Sequence, residues 1–390
     1  MKNKHIVVVA GNYPSPGRQI LVFVQELVHA LIDLGLKVTV VAPQSLTHSV
    51  LHKQLLLPNY STAKTENGVQ YNVYRPYTIT AGNNRILSKF TNWLNTIILS
   101  SVIKKQNPDI LYTHFWSSTL LVYKFANVNN IPLFVACGEG DNALEDMFRS
   151  LTEKNLDLLS HTVTGVISVS SENKRKCIEY GLVDKDSIEV FPNCVNTSIF
   201  KKTDPGQFRK QLGLNEDDFL VAFVGGFIPR KGPDRIAKAI SQLNDPNIKA
   251  FFIGKPFEGY PFDFDCPGII YKGPMDHALI PQYLNCADVF VMPTQNEGCC
   301  NAIVEALAMG IPVISSDRPF NDDILNDENS IRINPNNVQE IANAIKILKD
   351  NPMLCKRMKE YSISKHNQYS ISSRAYSILS FIDSQVKKHS

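Results

Sequence analysis

Two glutamates, Glu297 and Glu305, bracket the stretch of this chain with the most chemistry in it. The run reads Asn296-Glu297-Gly298-Cys299-Cys300-Asn301-Ala302-Ile303-Val304-Glu305-Ala306-Leu307-Ala308-Met309-Gly310, and the apolar run Val289–Met292 precedes it. Gly298 lets the chain turn closely. Asn301 is a good N-cap and Gly310 a good helix stop, so a helix is expected from about Ala302 to Met309. The start of a helix presents free N–H groups and the positive end of its dipole, which suits a diphosphate. Glu297 lies in the loop, and Glu305 one turn into the helix leans toward the same point, because helical side chains tilt N-terminally. Carboxylates accept hydrogen bonds from paired sugar hydroxyls. An idle charge inside the mainly apolar Ala302–Leu307 helix would be costly, which favours a ligand role over a solvated surface residue.

A second group of charges follows the strand-like run Leu220–Val224. There Gly225-Gly226-Phe227-Ile228-Pro229-Arg230-Lys231-Gly232 leads into a helix opening at Pro233, a favourable first position. Arg230 would meet phosphate through its planar fork and Lys231 as a point charge; the alternative is two solvated loop cations. In the first half, Gly11-Asn12-Tyr13-Pro14-Ser15-Pro16-Gly17 joins the first strand to a helix, and by itself reads as a plain strand-to-helix turn. This is not the glycine-rich turn of a dinucleotide unit, which argues against a nicotinamide-dependent oxidoreductase. His114 stands at the end of the strand Ile110–Thr113, and Glu139 and Asp141 follow the strand Leu133–Ala136. All three stand at strand ends facing the same side, and the alternative for His114 is a hydrogen-bonded structural histidine.

Positioning these residues takes a regular alternation of short buried strands and helices. Strand-like runs occur at Ile6–Ala10, Val38–Pro43, Ile110–Thr113, Leu133–Ala136, Val166–Val169 and Ile188–Phe191, then at Leu220–Val224, Ala250–Ile253, Ile269–Tyr271, Val289–Met292 and Pro312–Ser315. Helical patterns separate them; in Gln19–Leu34 the apolar Ile20, Phe23, Val24, Leu27, Val28 and Leu31 recur at helical spacing. The fold class is α/β, with two Rossmann-like, doubly wound domains facing across a cleft. The polar seam near residues 193–219 gives domains 1–200 and 201–368, and residues 369–390 form a C-terminal helix.

The 390 residues are enough for two domains, and 44% hydrophobic with 20% charged residues excludes disorder and a multi-span membrane protein. A net charge of +3 gives no case for nucleic acid. The eight cysteines form no CxxC pair and no zinc spacing, and no carboxylate triplet suggests another metal, so none is expected and a reduced, cytoplasmic setting fits. The apolar run Ile6–Ala10 is too short for a signal peptide.

The glutamates spaced E-x7-E and the following Glu305-Ala306-Leu307-Ala308-Met309-Gly310-Ile311-Pro312-Val313 run resemble the retaining GT-B glycosyltransferases, particularly glycosyltransferase family four. The resemblance implies that Glu297 contacts the donor sugar, Glu305 the nucleotide ribose, and Gly298, Cys299, Cys300 and Asn301 supply capping amides. Val224–Gly232 resembles that family's VGRLxxxKG run, which implies that Gly225 and Lys231 meet the diphosphate. Gly226 stands where the family has an arginine, and Arg230 compensates. Pro108–Trp116 is similar to the PDxxHxH run, with Tyr112 in the first histidine position, which implies that His114 meets the acceptor or the donor sugar. No His or Arg occurs near Gly138 where many relatives carry one before an acid, and the resemblance points to Glu139 and Asp141 for the acceptor. Gly11–Gly17 resembles the family's N-terminal glycine loop, which implies that Gly17 lies beside the donor phosphates. Ser168–Glu172 with Pro192–Asn196 and Pro319–Leu325 extend the match, and in relatives the C-terminal helix crosses back to the first domain.

By this resemblance the chain moves a sugar from a UDP- or GDP-linked donor to a glycan or lipid-linked acceptor. It does so with retention and no metal cofactor, in cell-surface polysaccharide biosynthesis. Lys53, Lys64, Arg85, Lys89, Lys104, Lys105 and the mixed stretch Ile86–Leu94 fit either a partly exposed amphipathic helix or peripheral contact with the inner face of a membrane, where the first domain of relatives often rests. A GT-B sugar-nucleotide epimerase and a non-catalytic two-domain sugar-binding protein are the rival readings.

Overall fold

The computed structural model describes residues 4–15, 20–51, 53–81, 85–257 and 259–389, with backbone alone at residues 85, 86, 141 and 389. The chain divides into two compact units, Met1–Phe191 with Arg374–Ser390, and Pro192–Ser373.

The first unit is built on β1 (His5–Ala10), β2 (Lys37–Val41), β3 (Gln44–Ser45), β4 (Tyr60–Lys64), β5 (Gln70–Tyr74), β6 (Tyr77–Thr78), β7 (Ile110–His114), β8 (Leu133–Cys137), β9 (Val163–Ser168) and β10 (Ile188–Val190). Eight of these form one sheet in the order β10-β9-β8-β7-β1-β2-β5-β4, while β3 and β6 pair separately. All neighbours in the large sheet are parallel except β4 on β5. The central strands are continuous apolar runs because both faces are covered: β1, β7 and β8 are buried throughout. The helices used below are α1 (Val22–Asp33), α2 (Leu46–Leu51), α3 (Arg85–Gln106) and α4 (Trp116–Val128). Along α3 the inward positions Thr91, Asn95, Leu99 and Ile103 recur every fourth residue and are buried.

The second unit carries β11 (Phe219–Val224), β12 (Ile248–Ile253), β13 (Ile269–Gly273), β14 (Val289–Met292), β15 (Val313–Ser316) and β16 (Ser330–Ile333). They form a parallel sheet in the order β13-β12-β11-β14-β15-β16. The chain order reverses between β11 and β14, the kind of switch point where open α/β sheets bind ligands outside the carboxyl ends of their strands. Helices α5 (Pro233–Leu243) and α6 (Asn301–Ala308) start there. Residues Pro192–Asn196 go with this unit: Asn193 Nδ2 donates to Cys299 O and Asn301 Oδ1, and the backbone of Val195 pairs with Tyr369 and Ile371.

The last helix, α7 (Ile371–His389), belongs to the first unit from Arg374 onward. It packs on β9, where Gly165 makes room: a Cβ there would lie 2.9 Å from Phe134 and 3.1 Å from Phe381. Arg374 Nε and Nη2 both donate to Phe191 O, at 3.3 and 3.2 Å, and Gln385 Nε2 donates to Asp186 O.

Candidate functional site

At the carboxyl end of β11 the chain runs through Gly225 and Gly226 and turns into α5 at Gly232, whose φ of 73° suits glycine. Pro233 is the first helical residue, as its spacing predicts. The turn is fixed from two sides. Gly254, at the end of β12, lies so close that a Cβ would meet Gly225 O at 1.9 Å, so only glycine fits. Arg235, four residues after Lys231, donates to Pro229 O at 2.7 Å and Pro293 O at 2.8 Å, joining the loop to the end of β14. The Lys231 stem then passes over Gly225, where a Cβ would sit 3.2 Å from its Cδ.

The two cations meet on one oxygen. Arg230 Nη1 donates to Glu297 Oε1 at 2.8 Å and also to Asn296 O, and Lys231 Nζ lies 3.1 Å from the same Oε1. Thr294 Oγ1 donates to it at 3.1 Å. Burial works to lower the Lys231 ammonium, but the Glu297 carboxylate at hydrogen-bond distance opposes it, and the lysine is held above its usual value. Lys231 is therefore charged at neutral pH. Gly226 cannot carry a side chain without movement, since a Cβ there would lie 3.0 Å from the Phe257 ring.

Glu297 lies in the β14–α6 loop, where Gly298 is buried. The helix starts one residue earlier than its capping pattern suggests: Asn301 is helical and Cys300 is the N-cap, without a side-chain cap bond. The reason is Asn193, which engages the Asn301 carboxamide from outside and frees it from a capping role. Cys299 is half-buried and its carbonyl accepts from Asn193. Cys300 is buried, and burial pushes its thiol up to about 11, so it is neutral and contributes backbone rather than a nucleophile. Glu305 is buried in α6 with His277 Nε2 at 3.9 Å. Gly310 ends the helix at a φ of 73°. The second unit thus gathers Arg230, Lys231, Glu297 and the α6 start at one strand edge, an arrangement that can hold a diphosphate.

In the first unit, His114 ends β7 and is 6% exposed. Its ring lies against Phe115 at 4.4 Å and Phe23 at 5.2 Å between centroids, and neither ring nitrogen has a hydrogen-bond partner among the described residues. Burial pushes its pKa down to about 3, with the Arg374 charge adding to the shift. It is neutral at pH 7. The next residue, Phe115, holds a φ of 70°, a strained conformation for a bulky side chain. Tyr112 is buried with its hydroxyl unpartnered among the described residues, and burial pushes it up to about 12.

Glu139 caps α4: its Oε1 accepts from Trp116 N at 2.5 Å and its Oε2 from Gly138 N at 3.1 Å. Burial raises this carboxyl to about 7 against the opposing pull of those N–H groups. Asp141 begins the helix Asp141–Ser150, and its side chain lies outside the described residues, as does the whole of Gly17.

These shifts set opposing pH dependences. For His114 the folded value lies below the unfolded 6.5, so between pH 6.5 and 3 the unfolded chain binds a proton that the folded one refuses. Stability therefore falls as pH falls through that window, by at most about 1.4 kcal/mol per pH unit. For Glu139 the folded value is raised above the ordinary 4.5, so its contribution is full below 4.5 and is lost as pH rises toward 7. In urea unfolding at pH 6.5, 5.5 and 4.5, His114→Leu is expected to lose stability more slowly than wild type as the pH drops. Parallel slopes would remove His114 as the source.

Sequence reasoning missed Thr294, Asn193 as a holder of the α6 loop, His277, Arg235 and Gly254. Gly254 alone carried a signal, being a glycine directly after a buried strand. The other four take their meaning from neighbours distant in the chain. Among the described residues no group of three or more His, Cys, Asp or Glu is placed to hold a metal ion.

Residues 205–365 match the family model described as glycosyl transferases group 1, and residues 21–199 match that of glycosyltransferase family 4. The chain is 26% identical over 358 residues to a Bacillus subtilis (strain 168) protein named "Putative teichuronic acid biosynthesis glycosyltransferase TuaC", covering 87% of this chain and 88% of that one. It is 27% identical over 286 residues to the Escherichia coli UDP-Gal:alpha-D-GlcNAc-diphosphoundecaprenol alpha-1,3-galactosyltransferase, covering 69% and 74%. Among solved structures it resembles the sucrose-phosphate synthase from Thermosynechococcus elongatus, with a TM-score of 0.76, 15% identity and full coverage of both chains. It also resembles Anabaena HepE in complex with UDP, with a TM-score of 0.72, 15% identity and coverage of 98% and 100%.

Proposed function

The chain belongs to the glycosyl transferases of group 1, with GT-B architecture, and from that premise we propose that it transfers a hexose, with retention, from a nucleoside-diphosphate sugar to a lipid-linked acceptor in cell-surface polysaccharide synthesis. The observation that carries the donor side is the convergence of Arg230 and Lys231 on Glu297 Oε1, beside the start of α6. Breaking a sugar–phosphate bond builds positive charge on the ring and negative charge on the leaving diphosphate. Arg230, Lys231 and the helix N-terminus stabilise the second charge, and in this reading no metal ion is needed. Glu297 sits where it can orient the sugar hydroxyls, and Glu305 where it can take those of the ribose. The UDP-bound neighbour and the UDP-galactose-using relative favour a UDP-linked donor. The diphosphoundecaprenol acceptor of that relative favours a prenyl diphosphate-linked glycan.

The test is a thermal-shift panel of UDP-, GDP- and ADP-sugars followed by product analysis with and without a prenyl diphosphate-linked sugar. Stabilisation by one donor class and sugar transfer only with acceptor, giving the donor's anomer, support the reading. Conversion of the donor alone would show an epimerase, and binding with no turnover a sugar-binding protein.

A lipid-linked acceptor asks for a lipid-facing surface, and the first unit has a candidate. Phe90, Trp93 and Ile97 are exposed along the outward face of α3, with the two rings 5.8 Å apart. Val50, Leu51 and Leu55 are exposed at and after α2, which the Thr47–Thr80 and Asn95–Ile79 hydrogen bonds tie to α3. Residues 44–106 contain seven Lys or Arg and one carboxylate, Glu66. No helix of the described residues is long and apolar enough to cross a membrane. An apolar stripe rimmed by lysine instead fits peripheral contact with anionic lipid on the cytoplasmic face. In vesicle sedimentation the Phe90→Ser/Trp93→Ser variant is expected to lose at least about tenfold in partitioning onto anionic vesicles, as burial of two aromatic rings would supply. Equal partitioning of variant and wild type would remove this surface.

A further inference from the structure

The carboxyl edge of the first sheet holds a cation that the donor chemistry does not use. Arg75 directly follows β5, and Pro14 and Ser15 follow β1, in register through β2: Val9 pairs with Val41, and Val41 with Tyr74. Arg75 is 6% exposed. Its Nη1 donates to Ser61 Oγ at 2.7 Å and its Nη2 to Pro14 O at 3.3 Å. No carboxylate among the described residues pairs with it: burial is the main influence on its guanidinium, and the charges that answer it are only the phenols of Tyr13 and Tyr71. Burial holds both phenols above their ordinary value, so they are neutral and leave the positive charge uncompensated. A buried cation without an anion is costly unless something else supplies one.

The surroundings are those of an oxyanion site. Ser15 is 9% exposed and its hydroxyl has no hydrogen-bond partner among the described residues. Tyr13 and Tyr71 join their hydroxyls at 2.9 Å, and His29 Nε2 meets Tyr71 OH at 3.0 Å, a chain that can turn a donor toward a ligand. Helix α1 has no acidic residue in its first turn. A guanidinium fork with hydroxyl donors matches a phosphate, whose several oxygens take both. The site also adjoins the apolar and basic surface: Gln44, in the strand leading to α2, donates to Arg75 O at 3.1 Å.

We propose that Arg75, with the Ser15 hydroxyl, binds a phosphate of the acceptor. This rests on the reading that the acceptor carries a phosphate. Arg75 also straps Pro14 to Ser61, so the test must separate binding from structure. Calorimetry would measure farnesyl diphosphate, as a short prenyl diphosphate, and UDP on wild type, Arg75→Met and Ser15→Ala. Expected are a loss of about ten- to a hundredfold in farnesyl diphosphate affinity for Arg75→Met, a smaller loss for Ser15→Ala, and unchanged UDP affinity in both. Partial recovery in Arg75→Lys would support a charge contact. A soluble sugar phosphate binding in its place, with the same loss, keeps the site and assigns a soluble acceptor.

Farnesol binding as tightly as the diphosphate, or unchanged diphosphate affinity in Arg75→Met, would overturn the proposal. So would parallel loss of both ligands, which would mean that the prenyl diphosphate occupies the donor site. Should Arg75→Met not fold, the Ser15→Ala comparison decides, and undiminished affinity there overturns the proposal. Failure of wild type to bind UDP would count against the donor reading and leave the farnesyl diphosphate comparison standing.

Discussion

Glu297→Gln is expected to lower kcat by about 10²–10³-fold, the usual loss when one preorganised polar group at a reacting centre is removed, while UDP binds at least as tightly as to wild type. The two halves of this result have one origin. Arg230, Lys231 and Thr294 all address Glu297 Oε1. A carboxamide oxygen can still accept from them but no longer offsets their charge. The cations become freer to hold the product diphosphate, while the carboxylate that orients the sugar is gone. Single-turnover rates and UDP affinity, measured side by side, separate the effects. Near-normal turnover would end the assignment of Glu297, and a parallel fall in both quantities would mean that the residue only shapes the loop.

Lys231→Met should act the other way round, weakening UDP by about ten- to a hundredfold, as loss of one charge-assisted contact predicts. Methionine nearly matches the lysine stem, so packing over Gly225 is kept. Lys231→Arg is not expected to rescue, because the stem runs tightly across Gly225 and a broad guanidinium cannot stand in for a point charge there. In a double-mutant cycle with Glu297→Gln the two changes should be strongly non-additive, since they share the 3.1 Å contact. UDP affinity unchanged in Lys231→Met would show that the diphosphate is held elsewhere.

Much of the strand framework beneath Glu297 and Lys231 could be read before the structure. Buried parallel strands are continuous apolar runs, so β1, β7, β8, β11 and β14 stand out in the sequence. The β4–β5 hairpin did not: Tyr60–Lys64 is mostly polar and Gln70–Tyr74 alternates polar and apolar residues, at a half-exposed, antiparallel edge, so neither makes an apolar run. Arg75 was hidden for the same reason, since its importance depends on a register that brings β5 beside β2 and β1. The loop settings of Glu297 and Lys231 were legible because each sits in a run with its own turn and helix-start chemistry. The α6 start was misjudged by one residue because Asn193, more than a hundred positions away, takes the side chain that would have capped it. The resemblance points Glu139 at the acceptor, and nothing local reveals that both its oxygens serve backbone N–H groups.

The return of α7 to the first unit governs the order in which the molecule can be made. Phe134, Gly165 and Phe191 offer a surface that Phe381 covers, and the Phe191 carbonyl waits for Arg374. During synthesis the whole of Pro192–Ser373 must leave the ribosome before those partners exist. At roughly 5–20 residues per second that is a delay of about 10–40 s. The half that emerges first is therefore the half completed last. Over that interval its uncovered aromatic surface depends on the nascent chain's own collapse or on a chaperone for shelter.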